Sequence, residues 1–210
     1  DIQLNNAIYA AEAVKVARSM KCTKFINVGS MEETFIEQNL GENSGEAYQS
    51  AQTYYGLAKL SSKNICRLTA YLEKIDYVHT RMSVPLASDL ASGGYVSSTL
   101  MKIFREEEFQ SPLNKALFDI ILLEDVVRAF YLIGLRGRNK SDYFIGTGNP
   151  QTLHQYFYQF SQLCSGNELQ FSSQDSDKNK HLFDVQHLKR DLDFVASRGL
   201  DHVLSTLRLR

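Results

Sequence analysis

The apolar pattern of this chain predicts an α/β fold on a parallel sheet, from three observations. Helix-spaced and strand-like segments alternate along the chain, as they do where helices cover a parallel sheet. The strand candidates Phe25-Ile26-Asn27-Val28 and Tyr143-Phe144-Ile145 are short, nearly continuous apolar runs of the kind buried on both faces. Turn formers (Gly29, Pro85 and Gly93-Gly94) punctuate the segments. With 210 residues, 43% apolar and 22% charged, the chain can bury a substantial core.

The elements follow in order. From Ile8 to Met20, Ala10, Ala11, Val14 and Ala17 recur at helical spacing, with Lys15 and Arg18 on another face. Phe25 to Val28 then reads as a buried strand closed by Gly29. Gly41 to Ser50 is polar and glycine-bearing and reads as a loop. Leu57, Leu60, Asn64, Leu68 and Tyr71 mark a stripe of a second helix. Asp76 to Val84 reads as a strand ended by Pro85. Val96 to Phe104 is helical in pattern, and its end Glu106-Glu107-Glu108 reads as a solvated surface.

Phe118 to Leu122 reads as a short strand and Glu124 to Leu135 as a helix with acids at its positive end. Tyr143 to Ile145 is a further strand. Thr152 with Gln155 forms a capping box for a helix running to Leu163. Ser172 to Lys180 mixes acids and bases in a surface loop, and Leu188 to Phe194 and Leu200 to Leu207 read as short closing helices. No repeat or low-complexity tract interrupts the order.

Charge and cysteine content narrow the function classes. Lys and Arg total 23 against 24 acids, so no excess of positive charge points to a nucleic acid, and none is expected as partner. Cys22, Cys66 and Cys164 contain no close pair for zinc or a redox dithiol, and none of the five His residues has a neighbour at ligand spacing, so no metal is expected. A reduced, cytoplasmic setting follows as the expectation. No apolar run approaches the roughly 20 residues that span a bilayer, so no membrane is expected, nor does the start read as a signal peptide. The first residue is Asp1 rather than Met and the chain opens straight into an amphipathic pattern, which suggests that its true N-terminus lies upstream.

The densest chemical signal is Tyr55-Gly56-Leu57-Ala58-Lys59. A spacing of four puts the phenol and the ammonium on neighbouring turns of one helix face. A phenol titrates near 10 in water and makes a usable proton carrier at neutral pH only when a nearby cation favours its anion. With 11 Tyr in the chain the spacing alone says little. Its context says more: a buried-type strand ends at Val28-Gly29-Ser30 some two dozen residues earlier, and ligands of open α/β sheets bind at the carboxyl ends of strands.

Asn27-Val28-Gly29-Ser30-Met31-Glu32 resembles the strand-end Ser/Thr motif of the extended short-chain dehydrogenase/reductase family, the nucleoside-diphosphate-sugar epimerases, dehydratases and reductases, and Tyr55 to Lys59 resembles its Tyr-x-x-x-Lys. Further segments resemble that family in order: Arg81 to Val84; Phe118 to Val126, similar to Asp-x-x-x-Val-x-Asp-Val; Tyr143 to Gly148, similar to Tyr-x-Ile-Gly-x-Gly; and Phe183 to Val185 with Leu188 to Leu192. The resemblance covers nearly the whole chain. It implies a Rossmann-type parallel sheet with helices on both faces, the first βαβ half missing, plus a small C-terminal α/β substrate-binding region. Residues 1–84 would be the later part of the dinucleotide-binding domain with its catalytic residues. Residues 85–210 would be mainly substrate-binding, with about 118–135 returning to the first domain.

The resemblance also implies the chemistry. Tyr55 exchanges the proton of a sugar hydroxyl or ketone, Lys59 supports it and bonds the nicotinamide ribose, and Ser30 bonds the reacting sugar oxygen. Val28 and Met82 would line the NAD or NADP site beside Tyr55 and Lys59. Met31, Arg81 and Val84 would join Ser30 around a nucleotide-sugar substrate. Glu32 reads equally as a second acid/base, as in the dehydratases, or as a solvated carboxylate; Arg81 reads equally as a diphosphate ligand or as the partner of an acid; Ser30 could also simply end its strand.

Asp119 and Asp125 read as structural. A homodimer is the family's common assembly. Two departures border the substrate region: Glu33-Thr34-Phe35 replaces an aromatic followed by Gly, and Pro85-Leu86 replaces a Gly-Pro turn. The glycine-rich phosphate loop has no counterpart, since Gly146-Thr147-Gly148 has Gln151 where a third glycine belongs, and about 80 residues upstream are expected to be missing. The function implied is an NAD(P)-dependent epimerase or reductase of a nucleotide-linked sugar. The alternative is a family remnant that binds or scaffolds without catalysis.

Overall fold

The computed structural model describes residues 2–41, 52–112, 116–166 and 180–209. They form two compact units, Asp1–Met82 with Phe130–Ile145 and Gln186–Phe194, and Ser83–Ala129 with Gly146–Val185 and Val195–Arg210.

The first unit is built on a three-stranded parallel sheet of β1 (Lys24–Ser30), β2 (Asp76–Met82) and β6 (Asp142–Ile145), in the order β1-β2-β6. Lys24 pairs with Asp76 and Ser30 with Met82, while His79 pairs with Asp142 and Met82 with Ile145. Successive residues of a strand point to opposite faces. Phe25 therefore packs into a cluster formed by α1 (Ile2–Ser19) and α3 (Gln52–Leu72), whereas the neighbouring Lys24 reaches the other face and donates to Gly134 O, at 3.0 Å, on α5 (Leu123–Arg136). Helices thus cover both faces. Between β1 and α3 lies α2 (Glu32–Gly41), and α7 (Gln186–Leu192) packs beside β6.

Two features go beyond the sequence reading. The stripe Leu57, Leu68 and Tyr71 of α3 faces outward, Tyr71 being 71% exposed, and the helix buries Ala58, Ser62, Cys66 and Ala70 instead. The reason is close packing: α1 meets α3 through Ala7, Ala11 and Val14, and only small side chains on both helices allow that approach. Second, the segment after Ser30 is helical, with Glu32 and Glu33 in the first turn of α2, where carboxylates are favoured by the exposed amides. Gly41 ends that helix, and the rest of the expected loop to Ser50 lies outside the described residues, as does most of the stretch from Ser172 to Lys180.

The second unit contains β3 (Val84–Leu86) parallel to β5 (Ile120–Leu122), β4 (Leu117–Phe118) antiparallel to β7 (Gln151–Thr152), α4 (Gly94–Phe104), α6 (Leu153–Cys164) and α8 (Leu200–Arg208). Pro85 sits inside β3 rather than ending β2; the strand breaks at Ser83, and proline is tolerated in so short a two-stranded sheet. The capping box forms, with Thr152 Oγ1 accepting from Gln155 N at 3.2 Å and Gln155 Oε1 from Thr152 N at 2.9 Å. Leu86, Leu100, Ile103, Leu122, Phe157, Phe160 and Val203 form the core.

The two buried aspartates of this unit hold loops. Asp119 accepts the backbone amides of Thr147 and Gly148, each at 2.9 Å, and so folds the Gly146-Thr147-Gly148 turn. Burial pushes its carboxyl above the ordinary aspartate value, against those hydrogen bonds. Asp125 accepts from Ser197 N at 2.9 Å, Arg198 N at 3.1 Å and Arg128 at 2.8 Å. Burial raises its carboxyl, but these donors outweigh burial and hold it below the usual value.

Candidate active site

The site is assembled at the carboxyl end of β1. There the strand gives way within one residue to α2, and Ser30 Oγ accepts from the backbone amide of Glu32 at 3.3 Å. Ser30 therefore closes the N-terminus of α2 in the manner of a capping residue, which leaves its own O–H proton free to be donated elsewhere. Met31 is buried at the bend. Glu32 is partly buried, and desolvation raises its carboxyl above 4.5.

Helix α3 reaches this turn through a glycine. A Cβ at Gly56 would lie 2.9 Å from Ile36 Cγ1 and 3.2 Å from Glu32 O, so the first turns of α2 and α3 touch at a spacing that admits no side chain there. Tyr55, one residue earlier, is 37% exposed. One helical turn on, Lys59 places its ammonium 5.8 Å from the centre of the Tyr55 ring and donates to Val28 O at 3.0 Å. Lys59 thus ties Tyr55 to Val28, Ser30 is tied to Glu32, and Glu32 O meets α3 at Gly56, the residue after Tyr55.

The Val28 carbonyl lies on a particular edge of β1. Met31 N donates to Met82 O and Asp76 N to Thr23 O, so odd-numbered positions turn their backbone groups toward β2. Even-numbered positions, Val28 included, turn theirs to the other edge, where no strand of the described residues pairs. Val28 is 44% exposed. The unpaired edge, the Lys59 ammonium and the Tyr55 phenol present hydrogen-bond donors and acceptors together, the kind of groups that could hold part of a dinucleotide. The described residues offer no glycine-rich turn for its pyrophosphate.

Arg81 and Met82 end β2. Arg81 Nη2 pairs with Glu37 at 2.6 Å, its Nη1 donates to Thr34 Oγ1 at 3.1 Å, and its Nε stands 3.7 Å from Glu33, so of its two readings the structure contains the pairing with acids. Val84 belongs to the second unit, in β3. Among the described residues no group of three or more His, Cys, Asp or Glu is placed to hold a metal, and the three cysteines are free thiols.

Sequence reasoning missed Glu33 and His79. Both are fully buried, with Glu33 Oε2 2.7 Å from His79 Nε2, and Glu33 Oε1 accepts from Ser30 N at 2.8 Å. A charged residue directly after the motif, and a His within an apolar strand, were the signals available.

The comparisons with known proteins give the family and the fold. The model of the NAD dependent epimerase/dehydratase family matches residues 1–146. Among curated sequences no match was found. Similar solved structures include a UDP-glucose 4-epimerase from Thermotoga maritima determined with UDP-glucose, at 18% identity and TM-score 0.68, covering 93% of this chain and 67% of that one. A UDP-N-acetylglucosamine 4-epimerase from Bacillus cereus, at 14% identity, gives a TM-score of 0.70 over 98% of this chain and 70% of that one. The Bordetella bronchiseptica enzyme WbmF in complex with NADH, at 13% identity, gives 0.66 over 95% and 62%. This chain thus spans about two-thirds of the length of such structures, and at these identities they show the fold, a Rossmann-like α/β architecture. With the family model matching well over half of its residues, the chain belongs to the NAD dependent epimerase/dehydratase family.

Proposed function

We propose that this chain carries the proton-transfer residues of an NAD(P)-dependent epimerase or reductase acting at a ring carbon of a nucleotide-linked sugar. The observation that supports it most is the placement of the Lys59 ammonium over the Tyr55 ring at the end of β1, beside the turn that carries Ser30. When bound, the nicotinamide accepts or supplies a hydride at the sugar carbon. Tyr55 takes the hydroxyl proton as that carbon is oxidised and returns it as the ketone is reduced. Lys59 supplies the positive charge the phenolate needs in between. Ser30 donates its free O–H to the same sugar oxygen. Val28 and Met82 border the cofactor, and Ser30 and Met31 the substrate.

Assembly as a homodimer accompanies this reading. Helices α1 and α3 bury small residues against each other and leave Tyr9, Val16, Leu68 and Leu72 exposed, an apolar surface suited to a second copy. Solution mass of twice the chain supports it, and a monomer at micromolar concentration counts against it.

The test of the activity uses the complete gene product containing these 210 residues, with NAD(P)(H) and a panel of nucleotide sugars. Turnover of at least one, lost in Tyr55→Phe, is expected. No turnover, or turnover unchanged in Tyr55→Phe, overturns the proposal; failure to bind the cofactor at all favours the non-catalytic remnant, and tight cofactor binding excludes that remnant. Stoichiometric consumption of reduced cofactor marks a reductase, and its retention an epimerase.

A further inference from the structure

Behind the turn that carries Ser30 lies a fully buried polar chain that the catalytic scheme does not use. Glu33 and His79 are both 0% exposed. His79 Nδ1 lies 3.3 Å from Asn27 Nδ2, an amide nitrogen that also donates to Tyr77 Oη at 3.2 Å. An amide nitrogen only donates, so with Asn27 in this orientation Nδ1 is the acceptor and the ring proton sits on Nε2. His79 Nε2–H then donates to Glu33 Oε2 at 2.7 Å, and Oε1 of the same carboxylate receives the amide of Ser30 at 2.8 Å. Arg81, paired with Glu37, stands 3.7 Å from Oε2 and offsets the buried charge.

We infer that Glu33, anchored by His79, is a positioning residue that clamps the Ser30 turn and so aims the serine hydroxyl at the sugar oxygen; this rests on the function proposed above. The strand end is packed so closely that position 29 takes only glycine. A Cβ on Gly29 would collide with Glu33 Oε1 and lie 2.5 Å from Thr80 O and 2.7 Å from His79 Cε1, so the glycine is what admits the carboxylate to the strand end. The clamp acts on the backbone of Ser30 while its Oγ is held by Glu32 N, so two contacts fix the residue and its O–H is left to donate. A carboxylate accepting a backbone amide is among the strong hydrogen bonds, and stronger still out of water. Removing it frees the turn without touching Tyr55 or Lys59.

The experiment pairs amide exchange at Ser30, read by NMR, with steady-state kinetics of the complete gene product, in Glu33→Gln, Glu33→Ala and each combined with Ser30→Ala. Glu33→Gln keeps an acceptor of the same shape without the charge, and carries the test if Glu33→Ala does not fold. The clamp predicts Ser30 amide exchange faster by about tenfold in Glu33→Gln and more in Glu33→Ala, as the loss of a charge-assisted bond implies. It predicts a fall in kcat with KM for the nucleotide sugar nearly unchanged, and no further fall when Glu33→Gln is added to Ser30→Ala. Unchanged exchange at Ser30, or losses that multiply in the double variant, would overturn it. Faster exchange in a protein that turns over no sugar even as wild type would uphold the clamp and overturn the function it serves.

Discussion

Lys59 donates to the carbonyl of Val28 at 3.0 Å while its ammonium stands 5.8 Å from the centre of the Tyr55 ring. One cation thereby ties the helix that carries the phenol to the strand whose end carries the serine. Exchanging Lys59 for Met removes both contacts and the charge. Turnover should fall by about 10² to 10⁴, the usual worth of a positioned acid–base group, in both Lys59→Met and Tyr55→Phe. The double variant should lose little more than either single one, because the two side chains act as a unit. Multiplying losses would separate them.

Gly56 sets how near Tyr55 comes to the turn. Alanine there would gain about 1 kcal/mol in helix propensity, yet its Cβ would press on Ile36 and on Glu32 O, and overpacking of this kind costs about 1–3 kcal/mol. Gly56→Ala should therefore melt at or below the wild-type temperature and lose much of its activity through the displaced helix. A more stable and fully active variant would show that the approach is not needed.

Glu32 and Asp125 respond to pH with opposite signs. Burial raises the Glu32 carboxyl above 4.5 in the folded chain, so folding binds its proton more tightly, and its contribution to stability is full at low pH and lost as pH rises through the folded value. Glu32→Gln should accordingly gain stability over the wild type as pH is raised from acid to neutral. A gap in melting temperature independent of pH would refute the shift.

For Asp125 the donors Ser197 N, Arg128 and Arg198 N overcome the cost of burial and lower its carboxyl below 3.8. Its contribution is present above that ordinary value and fades as pH drops toward the folded one. Wild-type protein should lose stability through this acid window, and Asp125→Asn should lose less there while being weaker at neutral pH. Thermal unfolding followed from neutral pH to pH 3 would show whether the two curves converge.

Thiol reactivity gives a simpler check on the core. Cys22 is exposed, whereas Cys66 is fully buried and burial pushes its thiol up. A thiol reagent should modify Cys22 in the native protein and reach Cys66 only on unfolding. Equal rates would mean that the packing of α1 on α3 is not as described.

The residues themselves announced the alternation of strands and helices, the capping box at Thr152 and the Tyr55/Lys59 pair, because each depends on neighbours within a few positions: apolar period, a side chain reaching its own helix end, a spacing of four. They placed α3 but left its buried face open, since the stripe of large apolar residues that includes Leu68 and Tyr71 faces outward. What decided that face was α1, forty or more residues away, whose alanines admit only small partners. The packing roles of Glu33, His79 and Gly29 lie beyond local pattern for the same reason. A buried carboxylate costs several kcal/mol unless it is paired, and its histidine partner on the next strand comes within 2.7 Å only when β1 and β2 are laid side by side in register. Local chemistry along the chain was enough to place Tyr55, Lys59 and Ser30 on their elements, but the burial and the cross-strand pairing around them come from contacts between distant segments.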